Sequence, residues 1–216
     1  MKKFISIFVL FCLSAVLFSQ QVKNSKREIS EKSTFVPQYK IGDEGESGGI
    51  VFYVSKEGFP VYDGMGGEKL CHYLEMSKST LGSPNWCPPS DEYGHCAEVN
   101  NLVDEIGYGK ANTHKILKSQ KGLLLTKDNC AAYMCSLYST EKTSAGEWFL
   151  PSTDELNEIY KAMGKTVVLD AEDKWFWTSS KYSMVWDDIL AQNLSEGNIY
   201  GFSYNTACCV RAVRAF

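Results

Sequence analysis

Gly146-Glu147-Trp148-Phe149-Leu150-Pro151-Ser152-Thr153-Asp154-Glu155-Leu156 reads as a strand running into a helix. Trp148, Phe149 and Leu150 supply bulky apolar surface, and Pro151 ends the strand because it has no N–H for a ladder. Ser152 then stands where an N-cap belongs. Glu155, three residues on, is spaced to reach back to the Ser152 N–H and complete a capping box. Leu156, Ile159, Tyr160 and Met163 follow at helical spacing, which predicts a helix over 153–163 with one buried face. None of these residues is catalytic in character; Ser152 and Glu155 are structural caps.

Outward from this junction the chain alternates short apolar runs with turn residues. Ile50 to Val54 and Leu70 to Met76 read as strands around the loop Gly64-Met65-Gly66-Gly67. Residues 77–100, with Pro84, Pro88, Pro89, Gly82 and Gly94, read as an irregular loop. Asn112-Thr113 reads as the cap of a short helix through Gln120, and Lys127-Asp128-Asn129 precedes another through about Tyr138. Aromatic strands are expected near 175–180, 185–190, 198–204 and 208–214. Two or three helices beside short, mostly antiparallel strands make the fold class α+β.

Taken in order, these blocks carry a resemblance. Gly48-Gly49-Ile50-Val51-Phe52-Tyr53, Ile106 to Thr113, W-F-L-P-S-x-x-E-L at 148–156, Trp177-Thr178-Ser179-Ser180 and the closing Val210 to Phe216 occur in one sequence. Together, over roughly residues 40 to 216, they resemble the bacterial domain family named after the C-terminal domain of a collagen-like adhesin, Lcl. The resemblance implies a C-type-lectin-like fold, a place outside the cytoplasm, and for some members glycan binding in adhesion at the cell surface. It implies no enzyme, and it leaves an oligomer open. It also implies a bridge from the helix holding Cys130 and Cys135 to the terminal strand. The family pattern often has a cysteine inside the final V-R-x-V-R run, where this chain has Ala212.

The remaining organisation agrees with export. Lys2 and Lys3 precede a run from Phe4 to Phe18 that is apolar but for two serines, then Ser19-Gln20-Gln21. This predicts a signal peptide over 1–20, too short for a comfortable membrane span. Phe11 precedes Cys12 where a lipoprotein signal carries a small residue, which argues against lipidation; an uncleaved anchor stays open. Residues 21–40 are polar and mixed in charge and read as a flexible linker. The domain is then 41–216. Without Lys2 and Lys3, 20 basic residues face 26 acidic ones, a net charge near −6 that disfavours nucleic acid as a partner.

Beyond the leader stand Cys71, Cys87, Cys96, Cys130, Cys135, Cys208 and Cys209. In an exported chain this count favours disulfides, and an odd number leaves at least one thiol over. The adjacent Cys208 and Cys209 should point to opposite faces of a strand and seek separate partners. The region holding Cys71, Cys87 and Cys96 is expected to contain one bridge.

Among candidate ligand residues, Lys110, Lys115, Lys118 and Lys121 fall in an interval, 107–127, that has no acidic residue. They suggest a site for a sulfated or carboxylated glycan or surface polysaccharide; a solvated helix face backed by Ile116 and Leu117 is the plainer alternative. Gly107-x-Gly109-Lys110 fails as a phosphate loop, because Asp104 and Ala111 occupy its required positions. Zinc is disfavoured because the Cys71-His72, Cys87 and His95-Cys96 spacings match no common finger. Asp187 and Asp188 are weak calcium candidates, but the triplets that mark sugar-binding calcium sites in the lectin-like superfamily are missing, so no cofactor is assigned. Trp186 is the aromatic chosen to stack on a sugar ring. Arg211 or Arg214 is expected to pair with Glu155 or Asp154.

The reading that results is an exported surface or envelope binding module, secreted, periplasmic or on the cell surface. Two alternatives stand beside it: an oxidase of the formylglycine-generating type, using Cys208 and Cys209, and a purely structural envelope protein. Two reactive free thiols would favour the oxidase; oxidation of all but one would favour the binder.

Overall fold

The computed structural model describes residues 35–92, 95–182 and 188–216. The leader and most of the linker, together with Trp186 and Asp187, lie outside the described residues. A compact unit runs from Pro37 to Phe216. Among the described residues its strands are β1 (Ile50–Tyr62), β2 (Glu68–Met76), β3 (Trp175–Lys181), β4 (Asp188–Asn193), β5 (Ile199–Ser203) and β6 (Val213–Ala215). Its helices are α1 (Gly109–Ser119), α2 (Ala131–Leu137) and α3 (Thr153–Val167), with a 3-10 turn at Val168–Asp170. Two antiparallel three-stranded sheets result, ordered β1-β2-β6 and β3-β4-β5. The mixed α+β class read from the sequence is what forms.

Two apolar cores lie on either side of a few extended segments, and side-chain alternation explains how one segment feeds both. Trp148 and Leu150 enter a core built with Trp86, Trp177, Ile116 and helix α2, while Phe149 enters a second with Phe52, Leu156, Ile159 and Val213. Trp177 and Phe176 divide the same way, and so do Cys208 and Cys209. The two extended runs are tied by single bridges, Phe149 to Val213 and Phe176 to Cys209. The stretch 208–214, expected as one strand, pairs as a strand only from Val213. Before that it threads between the cores: Cys209 bonds Trp175 and Trp177 of β3, and the segment's other backbone bonds go to loops, Leu81 N–H to the Val210 carbonyl, Val210 N–H to that of Gly82, Ser77 N–H to that of Ala212.

The capping box forms as read. Ser152 Oγ accepts the Glu155 N–H at 3.3 Å, and Glu155 Oε2 accepts the Ser152 N–H at 2.9 Å. Leu156 and Ile159 are fully buried, with Tyr160 and Met163 half-buried beside them. Helix α3 extends four residues past the expected end, but through a kink: Met163 has φ −158° and ψ 25°. Gly164 then lies so close to the Leu194 carbonyl that a Cβ would collide with it.

Helix α1 begins three residues before its expected cap. Its N-cap residue, Tyr108, makes no side-chain cap bond. The first orphan N–H, that of Gly109, goes to α3 together with the Gly107 N–H just before the helix: Glu155 Oε1 accepts them at 3.4 and 2.9 Å. Asn112 is therefore free for another task. It is fully buried, and its amide group bonds the Val103 N–H and carbonyl at 3.0 and 2.7 Å, stapling the preceding loop.

Among the described residues one disulfide closes, Cys87–Cys96, with Cα atoms 6.0 Å apart, inside the irregular 77–100 loop where one was expected. Cys71, Cys130, Cys135, Cys208 and Cys209 are buried free thiols, so the bridge from α2 to the terminal segment is not formed. Local bonds hold two of them: Cys209 Sγ meets Ser83 Oγ at 3.4 Å and the Asp173 carbonyl at 3.5 Å, and Cys135 Sγ the Arg211 carbonyl at 4.0 Å. The arginine pairings also differ from expectation. Glu155 is spent on backbone amides and Asp154 is exposed. Buried Arg211 instead pairs with Asp170 and bonds the Ser77 and Val167 carbonyls, joining the terminal segment to the end of α3.

Candidate functional site

A cleft of about 280 Å³ opens at the turn end of the β1–β2 hairpin. Three parts of the fold build it. The hairpin supplies Asp63, Glu68 and Lys69; the first turn of α1 supplies Lys110; β6 and the turn before Trp148 supply Arg214 and Glu147. Val61, Phe149 and Cys71 form apolar floor.

The frame is rigid for identifiable reasons. Asp63 Oδ1 accepts the Met65 and Gly67 N–H groups at 2.7 and 2.9 Å, folding the turn back on itself. Those two bonds hold the Asp63 carboxyl below the usual carboxylate range, with Lys110 and His114 adding to the effect. Gly107, at φ +92°, sits against the Pro60 carbonyl where a Cβ would collide. Its own carbonyl accepts the Tyr62 N–H at 3.0 Å, and the Tyr62 and Tyr108 rings stack at 4.4 Å. The start of α1, and Lys110 with it, is thus fixed to the hairpin.

Arg214 is the most constrained cation. Its Nη1 donates to Glu75 Oε1 at 3.4 Å and its Nε to Glu147 Oε2 at 3.3 Å. Glu75, fully buried, is itself held by the Ser47 and Gly49 N–H groups at 3.2 and 2.9 Å. Glu147 accepts the Ser144 N–H at 2.8 Å, and that bond, followed by Arg214, keeps its carboxyl below the usual range. Among the described residues Arg214 Nη2 has no protein partner, and Lys69, Glu68 and Lys110 form no ion pair. Two of the three guanidinium nitrogens are thus engaged by carboxylates, which leaves the N–H groups of Nη2 for another acceptor.

The four lysines singled out in the sequence separate. Lys110 lines the cleft. Lys115 turns away and donates to the Asn101 carbonyl at 2.5 Å. Lys118 and Lys121 are exposed and form no ion pair among the described residues, the solvated face that was the plainer alternative. Arg214, Glu147, Asp63, Glu68 and Lys69 were missed. Arg214 was weighed only as a structural ion pair, and the rest are scattered along the sequence with nothing to mark their convergence.

Other candidates fall elsewhere. Asp188 begins β4 and is half-buried, while Trp186 and Asp187 lie outside the described residues. Among the described residues no group of three or more His, Cys, Asp or Glu side chains converges to hold a metal. His72 Nδ1 lies 2.9 Å from the Ser55 carbonyl, and His95 pairs with Asp91. The thiols lie at neither of the extremes set out above. Five are free, but Cys208 and Cys209 are 1% and 0% exposed, and burial pushes Cys208 up to about 12. Cys71, on the cleft floor, is raised by burial as well. Among the described residues no helix is long and apolar enough to cross a membrane. The chain matches no protein-family model and no curated protein.

Proposed function

We propose that this protein is an exported bacterial envelope or surface module that binds carbohydrate, built on a C-type-lectin-like fold as its resemblance to the Lcl C-terminal domains implies. The observation that carries the reading is the cleft beneath Lys110. It is rigid before any ligand arrives, it presents a clamped guanidinium, and its volume of about 280 Å³ suits a unit of sugar size. The Cys87–Cys96 bridge supports a place outside the cytoplasm. The burial of Cys208 and Cys209, with the raised pKa at Cys208, supports binding over the oxidase alternative, because an inaccessible protonated thiol is a poor nucleophile.

A glycan array run with and without chelator, at low and high salt, tests the proposal. The expected outcome is retention of carboxylated sugars that survives chelation and weakens with salt. No retention of any glycan at low salt would exclude carbohydrate recognition.

A further inference from the structure

The charge carried by the cleft is unlike that of a site for a polyanion. Its walls hold three cations, Lys69, Lys110 and Arg214, and three carboxylates, Asp63, Glu68 and Glu147. Asp63 and Glu147 each accept backbone N–H groups, which hold their carboxyls below the usual range. A sulfated chain laid here would set its charges against all three carboxylates, a like-charge juxtaposition that disfavours binding. A neutral sugar would leave Lys110 and the open edge of Arg214 without an acceptor.

Asp63, Glu68 and Lys69 come from the β1–β2 hairpin, Lys110 from α1 and Arg214 from β6, with Glu147 already committed to Arg214. The apolar floor of Val61 and Phe149 lies among them. We infer that the cleft recognises a small zwitterion, a compact molecule carrying one carboxylate and one ammonium group, with Lys110 and Arg214 taking the carboxylate and Asp63 and Glu68 the ammonium. For a carbohydrate this means an amino sugar with a free amine and an acid group. That form of the inference rests on the glycan reading above.

Calorimetric titration of the purified protein at low salt and mildly acidic pH tests it with four ligands. Muramic acid carries both groups, N-acetylmuramic acid only the carboxylate, glucosamine only the ammonium, and alanine both without a sugar. Muramic acid is expected to bind about tenfold tighter than either single-charge sugar. Glu68→Gln should weaken muramic acid several-fold and leave N-acetylmuramic acid unchanged, while Lys110→Ala should weaken both. N-acetylmuramic acid binding as well as muramic acid would overturn the zwitterion and leave the glycan reading standing. Alanine binding while the sugars do not would uphold the zwitterion and overturn the glycan reading. Silence from all four would overturn both.

Discussion

Glu155 shows how one side chain can do more than its local motif states. The spacing Ser152-x-x-Glu155 gives the capping box, and the box is present. The same carboxylate also accepts Gly107 and Gly109 N–H, so it caps the first turns of two helices at once. That second role is invisible in sequence, because the donors lie more than forty residues upstream and are backbone groups. Burial pushes Glu155 up to about 7, against the downward pull of the three amides. A carboxyl whose folded pKa lies above its ordinary 4.5 stabilises the fold fully below that ordinary value. The contribution is lost as pH rises through about 7, a change of roughly 3 kcal/mol. Glu155→Gln does not titrate, so its denaturation free energy should lack that fall between acid and neutral pH. A parallel pH profile for both proteins would contradict this, and a difference of opposite sign would show the amides outweighing burial.

At the scale of elements, periodicity and caps located what local chemistry determines. Helix α3, the β1–β2 hairpin around Gly64–Gly67, and the aromatic strands β3 and β5 lie where apolar spacing and turn residues put them, while β4 runs from Asp188 to Asn193 against an expected 185–190. The misses share a cause, since each depends on a partner distant in sequence. Asn112 looked like a cap and is a loop staple, because Glu155 supplies the cap from another helix. The segment 208–212 looked like a strand and is extended chain between two cores. Cysteine pairing is legible only as far as loop chemistry goes. The Cys87–Cys96 bridge holds a Pro-rich loop, whereas the cysteines of α2 and the terminal segment are core side chains. The cap of α3 can be tested in isolation. Ser152→Ala removes the acceptor for the Glu155 N–H and should lower stability by about 1 kcal/mol, read as a shift in denaturation midpoint at constant slope. A change within error would mean that Glu155 alone secures the helix start.

Across the whole molecule, the fold brings together what the sequence scatters. Asp63, Lys110, Glu147 and Arg214 reach one cleft because the hairpin, α1 and β6 meet at its rim. Of the ligand candidates nominated from sequence that fall among the described residues, Lys110 reaches it, and a basic interval was the signal that found it. Arg214 is missed for a physical reason: an arginine in a terminal strand looks like an ion-pair partner, which it also is. The account stands on ligand binding in this cleft. The most direct measurement is a two-dimensional amide NMR titration with the sugar retained most strongly on the array, repeated on Lys110→Glu. The account expects shifts confined to the amides around Asp63–Lys69, Lys110 and Arg214, and their loss in the variant. Shifts mapping to Lys118 and Lys121, or persisting unchanged in Lys110→Glu, would contradict it.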